Sequence, residues 1–74
     1  MKSPKLKEII FEDLQIGDDY EGWGNELSPN YKKPTWIKYK KLSQVSVLVI
    51  SVNNTEKEDG VILIKKNQKI KIKE

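Results

Sequence analysis

The sequence predicts a mostly β domain, either a small SH3-like barrel or a strongly bent antiparallel sheet of five to six short strands, with a short N-terminal helix left open. Three observations predict it. Apolar and polar residues alternate at the two-residue period of a half-buried strand over 35–40 and 69–73. Two further runs, 45–52 and 61–64, are apolar and rich in Val and Ile, as β-strands prefer. Turn-forming Gly, Pro and Asn punctuate the intervals between these runs.

The N-terminal stretch admits two readings. Ser3-Pro4 has the form of a helix N-cap and first helical residue, and Leu6, Ile9, Ile10 and Leu14 follow at rough helical spacing. Alternatively Ile9, Ile10 and Phe11 form a short strand, with a turn over 12–18. The early stop at Gly17-Asp18 favours strand plus turn. Residues 22–34 contain Gly22, Gly24, Asn25, Pro29, Asn30 and Pro34 and read as a long irregular loop. The strand over 35–40 places Ile37 and Tyr39 on one face and Trp36, Lys38 and Lys40 on the other. Both faces of Val45–Val52 are apolar, which predicts a central strand buried on two sides. Asn53 to Gly60 reads as a polar loop, Val61–Ile64 as a strand and Asn67-Gln68 as a tight turn. Lys69–Lys73 alternates lysine with Ile70 and Ile72, the pattern of an edge strand guarded by charge.

With 74 residues the chain is one domain of the size that buries only ~60% of its unfolded surface. A core of that size contributes ~3–5 kcal/mol. Cysteine and histidine are both absent, which excludes disulfides, thiolate metal sites and the commonest acid–base residue. The basic start leads into no signal-peptide core, and no apolar run approaches the ~20 residues of a membrane helix. The expected location is the cytoplasm. All fourteen basic residues are lysine, so bidentate guanidinium contacts to guanine or phosphate are excluded.

Charge is segregated along the chain. Residues 8–26 contain seven acids and no base, whereas 27–55 contain five lysines and no acid, within a net charge of +3. The expectation is two separate electrostatic poles after folding. Glu12, Asp13, Asp18, Asp19, Glu21 and Glu26, together with Tyr20 and Trp23, make up a candidate protein-docking surface: carboxylates select a basic partner and aromatics anchor it. The bland alternative is a solvated surface with Trp23 as a lid on the core. Asp18-Asp19-x-Glu21 lacks the alternating ligands and glycine of a calcium loop. No nucleophile has an evident base beside it, so no catalytic residue, cofactor or metal is expected.

The second constellation is Tyr31, Lys32, Lys33, Trp36, Lys38, Tyr39, Lys40 and Lys41. Lysines neutralise phosphates and aromatic rings stack on bases, so this segment is an alternative nucleic-acid-binding face. Its bland counterpart is the wet side of a strand, because Trp36 and Tyr39 fall on opposite faces. The two-sided apolar strand Val45–Val52 also makes a homodimer an alternative.

The segments Phe11-Glu12-Asp13-Leu14-Gln15-Ile16-Gly17-Asp18 and Gly60-Val61-Ile62-Leu63-Ile64, with the lysine–isoleucine bias, resemble small β proteins of phages that infect low-GC Gram-positive bacteria. Within that group the chain is loosely similar to staphylococcal-phage inhibitors of the replication sliding clamp. The resemblance implies a non-enzymatic host-takeover protein that inhibits a host DNA-processing protein. Such an inhibitor would occupy the clamp's basic DNA channel, with the acidic segment imitating a phosphate track. The positive net charge departs from a whole-molecule DNA mimic and restricts mimicry to a local acidic face.

Overall fold

The computed structural model describes residues 5–74, and the Ser3-Pro4 cap lies outside them. Six strands form two antiparallel sheets: β1 (Leu6–Ile10), β2 (Asp19–Trp23), β3 (Trp36–Ser43), β4 (Ser46–Val52), β5 (Thr55–Leu63) and β6 (Lys69–Lys73). β1 pairs with β6, and β2-β3-β4-β5 form a meander. The mostly β class and the six short antiparallel strands are as expected, but the hydrogen-bonded ladders do not join into a ring, and the strands divide between two sheets where the sequence predicts one barrel or one bent sheet. A 3-10 turn, Phe11–Asp13, follows β1, and one helical turn, α1 (Gly24–Leu27), follows β2.

Residues 6–14 are strand and turn, not helix. Ile9 sits opposite Ile70 in the β1–β6 ladder. The chain then folds inward at Phe11, whose N–H donates to the Gln68 carbonyl at 2.9 Å. Phe11 and Leu14 are buried in the core with Leu27, Ile37, Tyr39, Val47, Val49, Ile64, Ile70 and Ile72. The alternation of β3 and β6 is as the pattern predicts. Ile37 and Tyr39 face inward, as do Ile70 and Ile72 between exposed lysines.

Several expectations are corrected. The supposed loop at 22–34 begins inside a strand: β2 runs to Trp23 in register with β3, pairing Gly22 with Ile37 and Trp23 with Trp36. β4 is central, but only Val47 and Val49 on its inner face are fully buried; Leu48 and Ile50 on the outer face are half-buried. The reason is architectural, since the second sheet covers one side of the meander only. The polar loop at 53–60 is mostly strand. Asn53 and Asn54 have φ of 51° and 65°, both positive, as a two-residue hairpin turn of primed type requires. β5 therefore starts at Thr55. The turn near Asn67 is present and closes through a Gln68 N–H to Lys65 carbonyl bond of 3.0 Å. β6 is an edge strand as its lysines predict, hydrogen-bonded to β1 alone, and its backbone passes close to β2. A Cβ at Gly22 would stand 2.6 Å from the Lys71 carbonyl oxygen.

The Tyr39 hydroxyl is buried without a hydrogen-bond partner. A buried unpaired polar group costs about 1–3 kcal/mol. Tyr39→Phe is therefore expected to leave stability unchanged or raise it by about 1 kcal/mol, read as the midpoint of urea unfolding.

Candidate functional site

Lys41 is the least expected feature of the inner face. Alternation carries the inward side from Ile37 through Tyr39 to position 41, and the lysine there is fully buried. Its Nζ donates to the Phe11 carbonyl at 2.8 Å, the Leu14 carbonyl at 2.7 Å and Gln44 Oε1 at 2.9 Å. Those three bonds use all the donors an ammonium has. The ammonium also lies 4.6 Å from the Phe11 ring centroid, a cation–π contact. Lys41 is thus part of the core and contacts no ligand surface, which removes it from the lysine-rich face.

The ammonium fastens the acidic segment that follows β1. Gly17 N–H donates to the Lys41 carbonyl at 2.7 Å, and Lys41 N–H donates to the Asp18 carbonyl at 3.1 Å. The Tyr20 hydroxyl accepts the Gln15 N–H at 2.8 Å. Gly17, at φ 93°, occupies the third position of the Gln15–Asp18 turn, where a type II turn needs positive φ. The result is a tip with a fixed backbone that presents Glu12, Asp13 and Asp18 to solvent, with Asp19 exposed where β2 begins. Ile16 stands among them, 55% exposed. Sequence reading missed Ile16, since an isolated isoleucine in a turn carries no signal of exposure.

The remaining acidic-segment residues separate from this tip. Tyr20 is half-buried and packs with its ring 6.3 Å from that of Tyr39. Glu21 binds Lys73 at 3.3 Å and sits opposite Lys38 in the β2–β3 ladder. Trp23 packs edge-on against Trp36, with centroids 5.2 Å apart and planes at 85°. Glu26, on α1, borders a shallow groove with Glu8, Lys69 and Lys71. The expected segregation into two poles is therefore corrected. Pairing β2 with β3 sets Asp19 opposite Lys40 and Glu21 opposite Lys38, so opposite charges interleave there. Segregation along the chain survives only at the 12–18 tip.

The lysine–aromatic set is also dispersed. Tyr39 is buried and offers no ring face to a base. The Tyr31 hydroxyl donates to Asp59 Oδ2 at 2.7 Å. Trp36 is half-buried against Trp23, and Lys38 and Lys40 face carboxylates. Lys32 and Lys33 are exposed on the loop before β3.

Burial lowers the Lys41 pKa from its ordinary 10.5, opposed by the charges of Asp13 and Glu12. Burial raises Tyr39 and Tyr31 above their ordinary 10.0; the Asp59 hydrogen bond and charge add to the shift at Tyr31. Between the lowered Lys41 value and 10.5 the unfolded chain binds a proton that the folded chain has released, so stability rises with pH. Above 10.0 the folded tyrosines keep protons that the unfolded chain sheds, so stability falls. Urea midpoints followed through alkaline pH are expected to show the rising limb in the wild type and none in Lys41→Met. Among the described residues no helix is long and apolar enough to cross a membrane. No known protein-family model matches the chain, and neither does any curated protein or solved structure.

Proposed function

We propose that the chain is a non-enzymatic binding protein that docks the acidic tip, Glu12, Asp13 and Asp18, with Asp19 at the adjoining start of β2, onto a basic surface of a protein partner. One observation carries this reading: the exposed carboxylates of Glu12, Asp13 and Asp18 ride on a segment whose backbone a buried ammonium holds in place. A pre-ordered loop loses little conformational entropy on binding. Clustered like charge speeds encounter with a basic partner and rejects acidic ones. Ile16, exposed on the same segment, supplies an apolar contact beside the charges.

The phage-inhibitor resemblance directs the search to a host DNA-processing protein, with the replication sliding clamp as the specific candidate, because a channel that accepts DNA has to be basic. The tip then stands in for a short stretch of phosphates, and the rest of the chain, net positive, stays outside that contact.

Affinity capture from a low-GC Gram-positive lysate, read by mass spectrometry, tests the proposal. The wild-type chain is expected to retain a DNA-processing protein that the triple variant Asp13→Asn, Asp18→Asn, Asp19→Asn loses by about tenfold or more, the equivalent of about 1.4 kcal/mol. Equal retention by the two baits rejects the tip. DNA binding at low salt that weakens steeply as salt rises would instead favour the lysines.

A further inference from the structure

Single exposed apolar side chains are ordinary, but a contiguous row of them marks an interaction surface. Such a row crosses the end of the meander beside the acidic tip. The Gly17 N–H bonds the Lys41 carbonyl, which sets exposed Ile16 beside the end of β3 and its exposed Leu42. Ser43 pairs with Ser46 across the next hairpin, whose turn carries exposed Val45. Ser46 pairs in turn with Leu63, the most exposed of the four at 78%. Each of four neighbouring segments thus presents one apolar side chain, over three strand spacings of ~4.8 Å, a row about 14 Å long.

Lys41 joins the two loops that bear the row. Besides the Phe11 and Leu14 carbonyls of the acidic segment, its ammonium bonds Gln44 Oε1 in the hairpin turn. That turn is closed by the Ser43 and Ser46 hydroxyls, 2.7 Å apart, and by the Val45 N–H donating to Ser43 Oγ at 3.2 Å. Ile16 and Val45 are therefore held on one frame before any partner arrives. Charge selects the occupant. Asp13 and Asp18 are exposed at the Ile16 end, and neither makes an ion pair among the described residues. Lys65 and Lys66 are exposed past the Leu63 end, and the Lys66 carbonyl accepts the Glu12 N–H, so the purely acidic stretch of rim runs from Asp13 to Asp18. Phosphates of a nucleic acid or of an anionic bilayer are repelled there, whereas lysine or arginine is attracted.

We infer, resting on the acidic-tip reading above, that Ile16, Leu42, Val45 and Leu63 receive an amphipathic basic segment of a protein partner. Its apolar side chains lie along the row, and its lysine or arginine side chains pass Asp13 and Asp18. The arrangement is that of a protein interface, an apolar centre with a charged rim. The apolar row then supplies the residence time and the carboxylates supply the orientation, because opposite charge on the rim acts mainly on encounter and register. A partner that is basic but has no apolar ridge meets the carboxylates alone and binds weakly.

Nuclear magnetic resonance titration of the isotope-labelled full chain with two defined probes tests it. One is a lysine–leucine peptide with its leucines on one helical face, the other a lysine–serine peptide of the same length and charge. The lysine–leucine peptide is expected to bind more tightly by about tenfold or more, with shifts at Ile16, Leu42, Val45 and Leu63 as well as at Asp13 and Asp18. The double variant Ile16→Ser, Val45→Ser, shown folded by circular dichroism, is expected to lose that advantage and keep its affinity for the lysine–serine peptide. Where the double variant unfolds, Val45→Ser alone, in the exposed turn, must weaken the lysine–leucine peptide only. Equal affinity of the wild type for the two peptides overturns the inference and leaves the acidic tip standing. An advantage that survives the serine substitutions, or shifts that fall away from the row, overturns it too. So does tighter binding to anionic vesicles than to the lysine–leucine peptide. Binding of neither peptide, or binding indifferent to Asp13→Asn with Asp18→Asn, defeats the acidic-tip reading and the inference with it.

Discussion

Lys41→Ala is expected to lower the free energy of unfolding by about 2–5 kcal/mol, the range for truncating a long side chain in a packed core. A core of this size contributes only ~3–5 kcal/mol, so a large share of the variant population should be unfolded at room temperature. Two physical losses combine. The Leu14 carbonyl loses the 2.7 Å bond from Nζ, whereas the Phe11 carbonyl keeps its bond from the Leu14 N–H. The space that the four-carbon stem fills beneath Phe11 is vacated as well. Lys41→Met separates the two. It keeps most of the volume and removes a desolvated charge, so its cost should be clearly smaller. In Lys41→Met the fold should persist while the tip loosens, seen as faster amide hydrogen exchange at Gly17 and Asp18 than in the wild type. Equal stability of Lys41→Ala and the wild type in urea would mean that the ammonium does not hold the tip.

Gly22→Ala should be the next most damaging change, at about 1–3 kcal/mol for forcing an added methyl into a packed site. The new Cβ would meet a backbone oxygen, that of Lys71, at 2.6 Å, and no rotamer change can relieve a clash with backbone. β6 would have to move off β2, stretching the Glu21–Lys73 pair and disturbing Ile70 and Ile72 in the core. Gly24→Ala is the matched comparison. Its Cβ would approach the Tyr31 ring at 3.0–3.2 Å, and that side chain can turn away at the expense of its bond to Asp59. Thermal unfolding should therefore rank wild type above Gly24→Ala and Gly24→Ala above Gly22→Ala. The reverse order of the two variants would mean that the β2–β6 joint yields easily.

The strands that could be read from sequence were those whose burial is one-sided and regular. β3 and β6 alternate cleanly because each packs one face on the core, and Ile37, Tyr39, Ile70 and Ile72 all lie where the pattern puts them. β2 was hidden because Asp19, Glu21 and Gly22 each discourage a strand. Its pairing comes from β3, and its glycine is required by β6 passing within contact distance. The Val61–Leu63 end of β5 is legible as strand, but its first part was hidden by the charged stretch Glu56–Asp59, although Asn53-Asn54 is a recognisable hairpin turn once both residues are allowed positive φ. Lys41 follows the alternation of its own strand. Only its charge argued for exposure, and charge yields when three acceptors are in place.

The candidate site was legible as composition and not as arrangement. That residues 12–19 are acidic is plain from the sequence. Which of those carboxylates stay together depends on strand pairing, which sets Glu21 beside Lys73 and Asp19 opposite Lys40. The same pairing removes Tyr39 from any surface and couples Trp23 to Trp36. Linear charge segregation predicts separate poles only when strands of opposite sign are not neighbours, and here β2 and β3 are neighbours.

Titrating purified sliding clamp into the isotope-labelled chain and following every backbone amide tests the docking account most directly. The account predicts that the largest shifts or losses of signal fall on residues 12–19, Ile16 included, and that the triple Asp→Asn variant shows none at the same clamp concentration. Changes confined to Lys32, Lys33 and Trp36, or an undisturbed spectrum at saturating clamp, would contradict it.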